Sequence, residues 1–376
     1  MSHTVVIAGG GTAGHVFPAI AVAQELRRLD PELEPVFVGV DDRLEATLVP
    51  EAGFRLHHIE AAAIPRRLSP RLVTVPFALR RSVRRCAEIL REERAGAVVT
   101  FGGYVSFPVA RAAWREQLPL IVHEQNAVPG LANRVAARWA DTVAVTFPGS
   151  ADRFRYPERT AVTGDPVRED VRGLDRDSAR ADARRRLGLA PDCPTLLVFG
   201  GSQGARRINE AIVDAHARWE LADLQVLHAA GRAAYDDTAR AWAAAREERT
   251  GPAVQVVPFI DDMAEAYAAA DLVVCRAGAT SIAELTVLGL PSVLVPYPHA
   301  TADHQAANAA ALAAIGGARV VVDADLDGAA LVAAAQPLLR DAQACATMAR
   351  AARAFGRPDA AANLARLVLS HLGGRS

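Results

Sequence analysis

Twice in this chain a short apolar run ends in a glycine-rich turn that opens directly onto a helical pattern. Thr4–Ala8 runs into Gly9-Gly10-Gly11-Thr12-Ala13-Gly14, and Thr195–Phe199 runs into Gly200-Gly201-Ser202-Gln203-Gly204. A strand, a turn without side chains and a helix make the first half of a parallel βαβ unit. Two such starts in one chain predict two similar α/β units in tandem, each a doubly wound parallel sheet. Further strands are expected in the first unit at Pro35–Val40, Phe54–Ile59, Ala97–Thr100, Leu120–His123 and Thr142–Val145. In the second they are expected at Leu224–His228, Val254–Val257, Leu272–Cys275, Ser292–Val295 and Arg319–Val322. The Ala-rich tail reads as helical, with a break near Gly356-Arg357-Pro358.

A length of 376 residues also exceeds what one core normally supports. The expected division is a domain over 1–164, a second over 165–345, and C-terminal helices over 346–376 that pack back toward the first. Ligands of such folds bind beyond the carboxyl ends of the strands, so a deep cleft faced by both units is the expected site. The 42 Lys and Arg nearly cancel the 43 Asp and Glu, which leaves no global field for nucleic acid. Cys86, Cys193, Cys275 and Cys345 lie far apart in sequence, without the spacing of a zinc site or a disulfide framework. Neither a signal peptide nor a membrane-spanning apolar run is expected.

The stretch Asp271–Asn308 carries the densest chemistry. A helix is predicted to open near Ser281, just after a strand and the small-residue turn Ala277–Ala279. Its free N–H groups and positive dipole end suit a diphosphate without a cation. Glu284 either serves the cap, with Ser281 or Thr280, or accepts ribose hydroxyls. Asp303, His304, Gln305 and Asn308 form a polar end to the next loop, with Gln305 as the candidate sugar contact. In the first unit Gly9, Gly11 and Gly14 satisfy a dinucleotide spacing, but the ribose-binding acid is supplied only ambiguously, by Asp41 or Asp42. His15 stands at the start of the helix, where the dipole favours a neutral imidazole able to take a hydroxyl proton. His123, Glu124 and Asn126 leave one strand end together, and Phe101-Gly102-Gly103-Tyr104 forms another glycine turn. Arg168 is a candidate anion clamp, the Ser202 turn a candidate pyrophosphate holder, and the Ile260 backbone a candidate reader of a base edge. Asp323, Asp325 and Asp327 imitate half a calcium loop, but Ala334 stands where the bidentate Glu belongs, so a turn and helix cap are expected and no metal.

Residues 66–94 place Leu72, Val75, Leu79, Val83, Cys86 and Leu90 on one helical face, the expected core side. Val73 and Phe77 fall instead among Arg80, Arg81 and Arg84, with Arg66, Arg67 and Arg71 just upstream. Apolar side chains in an arginine field fit docking to an anionic lipid surface.

Taken in order, GGGTAGHVFPA, FGGYVSFP, VHEQNAVPGLANR, GDPVRED, FGGSQGARRIN, PFIDDMAEAYAAADLVVCRAGATSIAEL and PYPHATADHQAANA resemble the MurG family of peptidoglycan glycosyltransferases, from Gly9 to about Asn308. The resemblance implies a GT-B fold, with acceptor and membrane contacts in the first unit and the sugar nucleotide mainly in the second. It implies inverting transfer of N-acetylglucosamine from UDP-GlcNAc to the C4 hydroxyl of undecaprenyl-pyrophosphoryl-MurNAc-pentapeptide, at the cytoplasmic membrane face and with no cofactor. Carried over by motif, the donor site includes Thr12, Ala13, Gly14, Asn126, Arg168, Ser202, Ile260, Ala279, Thr280, Ser281, Ile282, Ala283, Glu284 and Gln305. Gly103, Tyr104 and His123 are the expected acceptor contacts, His15 the expected base, and Glu124 its understudy. Attacker and leaving group would come from different units, so closure on donor binding is expected. His304, where a second Gln can stand, and Ala13, in place of a common Gly, depart from one familiar form of the family. Two rivals are a UDP-GlcNAc 2-epimerase of the same fold and a non-catalytic nucleotide-binding protein.

Overall fold

The computed structural model describes residues 4–60, 75–201, 204–248 and 250–372. It divides into two compact units, one of residues 1–168 and 357–376, the other of residues 169–356. In the first, the strands are β1 (Thr4–Ala8), β2 (Glu34–Gly39), β3 (Arg55–His58), β4 (Ala95–Thr100), β5 (Leu120–Glu124), β6 (Thr142–Val145) and β7 (Thr160–Val162). They form a seven-stranded sheet in the order β3-β2-β1-β4-β5-β6-β7, with every pair parallel. Its helices are α1 (Ala13–Leu29), α2 (Glu45–Glu51), α3 (Val75–Glu92), α4 (Ser106–Arg115) and α5 (Leu131–Ala136).

The second unit holds α6 (Glu169–Arg172), α7 (Arg176–Arg186), β8 (Thr195–Phe199), α8 (Arg206–Asp214), β9 (Gln225–Ala229), α9 (Tyr235–Glu248) and β10 (Ala253–Val257). It continues through α10 (Met263–Ala269), β11 (Leu272–Cys275), α11 (Ala279–Leu288), β12 (Ser292–Leu294), α12 (His304–Ala313), β13 (Arg319–Val320), α13 (Gly328–Arg340) and α14 (Ala342–Phe355). The six strands run in the order β10-β9-β8-β11-β12-β13, again all parallel. The last helix, α15 (Ala360–Leu372), belongs to the first unit.

A parallel sheet covered on both faces needs strands that are apolar at every position. In β1, Val6 and Ala8 join a core with Val83, Cys86 and Leu90 of α3 and Val109 of α4. The alternate residues Val5 and Ile7 join another with Val16, Ile20 and Leu26 of α1 and Leu364 and Val368 of α15. In the second unit Leu196 and Val198 pack with Ile208 of α8, Trp242 of α9 and Leu331 of α13. The boundary expected at 345/346 falls inside α14, which packs on α11, and the chain changes unit at Gly356-Arg357. α7 lies in a passage rich in Arg and Asp, and its Arg176 and Arg184 donate to the Tyr267, Ala269 and Ala270 carbonyls at the end of α10. Guanidinium groups thus satisfy the helix C-terminus that no later turn caps.

Helix α15 sits on α1, the helix that carries His15, with Leu364 and Val368 fully buried. Leu364→Ala should therefore lower the stability of the first unit by roughly 3 kcal/mol. Urea unfolding followed on a probe in that unit measures the loss, and an unchanged midpoint would show that α15 is not part of its core.

Candidate active site

Strand order fixes where the first site lies. β1 has β2 on one side and β4 on the other, so the sheet reverses direction there and the loops after β1 and β4 diverge from a shared crevice. Those loops are the two glycine turns, and their backbones touch. A Cβ on Gly103, whose φ is +82°, would lie 2.2 Å from the Gly10 carbonyl oxygen. One on Gly102, with φ +103°, would lie 2.8 Å from His15 Nε2. The glycines are required by contact as well as by conformation.

α1 starts at Ala13 rather than Val16, so His15 stands inside its first turn, and the N-cap Thr12 gives no side-chain cap. The Thr12 hydroxyl lies 3.0 Å from His15 Nδ1, and the Gly10 carbonyl oxygen lies 3.1 Å from the same nitrogen. A carbonyl only accepts, so Nδ1 carries the proton and donates it to Gly10. In the neutral ring the lone pair is then on Nε2, the atom against Gly102. This is the tautomer a general base needs. Gly14 shares the same first turn, and the half-exposed Tyr104 ring lies beside Gly11. The Arg168 guanidinium rests 4.8 Å above the Phe17 ring, which places this residue with the first unit and next to α1.

Glu124 is organised differently. Its carboxylate is buried and accepts from the Asn126 backbone (2.9 Å), the Asn126 side chain (3.2 Å), Gly130 N (3.0 Å) and Asn133 Nδ2 (2.9 Å). Burial pushes its pKa up, and the four donors oppose that rise. It is the hub that shapes the loop after β5. Asn126 helps to anchor that loop, a role its sequence position did not reveal. His123 is wholly buried, its Nε2 donating to Gly164 O at 2.9 Å, so its side chain is not open to the direct acceptor contact expected of it. Burial holds it neutral, with a pKa lowered to about 4.

Neither Asp41 nor Asp42 approaches the first glycine turn: Asp41 pairs with His58 and Asp42 with Arg43, both at the surface. The acid at the turn is Glu45, which nothing in the spacing singled out. It is buried under Gly10 and Gly11 and accepts from Gly11 N at 3.0 Å and Val40 N at 3.4 Å. A turn whose N–H already serves a carboxylate is poorly suited to phosphate.

In the second unit β8 and β11 flank the reversal, so the turn after β8 and the start of α11 form the crevice. Gly204, with φ +73°, packs on the Ala230 carbonyl, and Ser202 lies outside the described residues. α11 begins at Ala279 after the N-cap Gly278, and no side chain caps it. The N–H groups of Ala279, Thr280 and Ser281 therefore stand at the positive end of a ten-residue helix. Glu284 lies a full turn too deep for a capping box. It is buried and its Oε2 accepts from Tyr267 Oη at 2.8 Å. Ile282 and Ala283 are buried, so their side chains pack inward rather than toward the crevice.

Gln305 Oε1 accepts from Tyr297 N at 2.9 Å, and Asn308 Nδ2 donates to Ala277 O at 3.2 Å, steadying the turn before α11. Arg276, which the spacing did not reveal, donates to the carbonyls of Val295 and Pro296 and pairs with Asp323. Asp327 caps α13 by accepting from Ala330 N, which accounts for the calcium-like Asp run. Ile260 is nearly buried beside Phe259, whose exposed ring has the Arg232 guanidinium 4.8 Å above it. No cluster of three or more metal-ligating side chains exists among the described residues. Behind the second crevice, Trp242 Nε1 donates to His228 Nδ1, and His228 Nε2 donates to Asn209 Oδ1, both at 3.0 Å. Burial lowers the His228 pKa to about 4.

Residues 5–145 match the glycosyltransferase family 28 N-terminal domain and residues 195–364 its C-terminal domain. A Nocardioides UDP-N-acetylglucosamine--N-acetylmuramyl-(pentapeptide) pyrophosphoryl-undecaprenol N-acetylglucosamine transferase is 46% identical over 97% of both chains. The crystal structure of Acinetobacter baumannii MurG superposes with a TM-score of 0.77 at 31% identity, covering 98% of this chain and 100% of that one. A UDP-GlcNAc 2-epimerase from Neisseria meningitidis shares the fold at a TM-score of 0.71 but only 10% identity, with 98% and 99% covered.

His123 and His228 have folded-state pKa values of about 4, below the ordinary value near 6.5. Above pH 6.5 both are neutral folded or unfolded. As the pH falls toward 4 the unfolded chain binds protons that the folded chain does not, so stability drops over that window by roughly 3 kcal/mol for each. Urea midpoints at pH 7 and pH 5 should separate accordingly. His228→Gln should be less stable at pH 7 and less sensitive to acid; an equal sensitivity would exclude His228 as a source.

Proposed function

Because the chain belongs to the MurG branch of glycosyltransferase family 28, we infer that it moves N-acetylglucosamine from UDP-N-acetylglucosamine to undecaprenyl-pyrophosphoryl-linked N-acetylmuramyl-pentapeptide. In the proposed reaction the acceptor's C4 hydroxyl oxygen bonds to the anomeric carbon as the bond from that carbon to the diphosphate breaks. The electron pair leaves on the UDP oxygen, the hydroxyl proton passes to His15 Nε2, and an α-linked donor becomes a β-linked product. The observation that supports His15 as the base is the Gly10 carbonyl oxygen 3.1 Å from His15 Nδ1, which calls for the proton on Nδ1 and leaves Nε2 to accept one. Glu124 is saturated by donors and is the weaker candidate for the base.

The uncapped N-terminus of α11 supports binding of the donor diphosphate there, where N–H groups from Ala279 to Ser281 stabilise the charge that develops on UDP. Glu284, held by Tyr267, accepts from the ribose; Gln305 contacts the sugar; the Ile260 backbone reads the base. In the same reading Thr12, Ala13, Gly14, Asn126 and Arg168 of the first unit contribute to donor binding, and Gly103 and Tyr104 meet the acceptor. Backbone dipoles supply the stabilisation a cation would otherwise give, so the reaction runs in chelator.

The lipid-linked acceptor implies contact with a membrane surface, and no described helix is long and apolar enough to cross one. Peripheral docking on the cytoplasmic face through α3 fits its side chains. Phe77 is 67% exposed, with Arg80, Arg81 and Arg84 also in solvent, while Val83, Cys86 and Leu90 hold the helix to the core. Val75 and Leu79 are only half-buried, so the core face is shorter than the spacing suggested. Val73 and Leu72, together with Arg66, Arg67 and Arg71, fall outside the described residues. On the adjacent α4, Trp114 is exposed under the Arg111 guanidinium, a second apolar and cationic pair.

The decisive assay follows UDP release from UDP-N-acetylglucosamine with and without the lipid-linked acceptor, in chelator. His15→Ala should lower turnover on the order of 10² to 10⁴-fold while donor affinity is kept; wild-type turnover in that variant would remove His15 from the mechanism. Acceptor-independent conversion of the donor would favour the epimerase reading. Phe77→Asp should weaken binding to phosphatidylglycerol vesicles, and unaltered vesicle binding would defeat the membrane reading.

A further inference from the structure

One peptide group in the first glycine turn is engaged at both ends. Its N–H, that of Gly11, donates to Glu45 Oε2 at 3.0 Å, and its carbonyl, that of Gly10, accepts from His15 Nδ1 at 3.1 Å. We propose that Glu45 is a positioning residue for the base, acting through this peptide as a carboxylate–peptide–imidazole relay.

Glu45 is built into its place. It opens α2, is 1% exposed, and its side chain passes between two glycines. A Cβ on Gly10 would lie 2.3 Å from Glu45 Oε1, and one on Gly39 would lie 2.7 Å from Glu45 Cγ. A carboxylate is taken out of water at a large cost unless donors meet it, and the donors here are the backbone N–H groups of Gly11 and Val40. The charge polarises the amide between Gly10 and Gly11, making its carbonyl a stronger acceptor for the imidazole proton. When His15 takes the hydroxyl proton at Nε2, the positive ring is stabilised by that carbonyl and by the carboxylate behind it. An Asp placed directly on an imidazole does the same work in hydrolytic triads; here a peptide stands between the two.

Among the described groups, His123 on β5 feels the charge of His15, Tyr104 after β4 lies beside Gly11 of the same turn, Glu124 on β5 is held by Asn133, and Arg168 stacks on Phe17 of α1. His123 stays neutral through the working range and lies close enough for a charge on His15 to oppose its own. Glu124 is committed to the donors of its loop. Glu45 is the carboxylate that shares a peptide with the base.

The proposal rests on His15 as the base, but its test reads the ring directly. In wild-type protein, 15N NMR of His15 should show the Nδ1–H tautomer, and the Gly11 amide proton should shift with the same midpoint as the ring. An Nε2–H tautomer, or a Gly11 amide blind to the titration, overturns the relay whether or not any variant folds. In Glu45→Gln, which keeps the shape and loses the charge, the His15 midpoint should fall by about one pH unit. kcat should fall about tenfold, with the KM for UDP-N-acetylglucosamine held. A folded Glu45→Gln protein with an unmoved midpoint and wild-type kcat overturns it. If instead His15→Ala retains turnover while the midpoint still moves in Glu45→Gln, the base assignment fails and the contact stands.

Discussion

The structure depends on backbone meeting backbone where the first sheet reverses direction. Parallel pairing of β1 with β4 delivers two glycine turns to the same edge, and the turns pack so closely that one Cβ at Gly103 would collide with Gly10. That contact decides where the Gly10 carbonyl points, the carbonyl decides which nitrogen of His15 holds the proton, and the tautomer decides what the ring can do. A parallel sheet makes this possible because all its strands end on one side, so every loop that follows a strand converges there.

The two units apply this geometry to opposite ends. In the first, the turn after β1 spends its Gly11 N–H on the buried Glu45 and presents an imidazole. In the second, α11 starts with no side-chain cap, so its N–H groups remain directed at whatever settles over them. A glycine fingerprint therefore does not by itself mean a nucleotide. What matters is whether the N–H groups already have an acceptor, and Glu45 is the difference. Much of the remaining polar burial serves the same end: Glu124 gathers the loop after β5, Asn308 holds the turn before α11, and Arg276 fixes the carbonyls after β12.

Most of the fold was legible in the residues because doubly buried strands are continuous apolar runs that few other structures tolerate. Thr4–Ala8, Thr142–Val145, Thr195–Phe199 and Leu272–Cys275 stand where periodicity put them. The element starts were harder to read. α1 and α11 open two or three residues earlier than expected because small residues enter a helix as readily as a turn, and that shift moves Glu284 out of reach of the cap. α15 joins the first unit, the side toward which the C-terminal helices were expected to pack, through Leu364 and Val368 buried with Val16, Ile20 and Leu26 of α1, but the chain changes unit at Gly356-Arg357 rather than at 345/346.

The sequence by itself determined the two parallel sheets, the strand-end positions of His15, Glu124 and the α11 turn, and the family, since each follows from local periodicity or an ordered set of motifs. Only the tertiary structure decided which polar groups are already spoken for. Glu45 reaches Gly11, Tyr267 reaches Glu284, and Asn133 reaches Glu124 across gaps in the chain that no spacing rule spans. Hydrogen bonds depend on distance in space, and it is folding that brings those partners within about 3 Å.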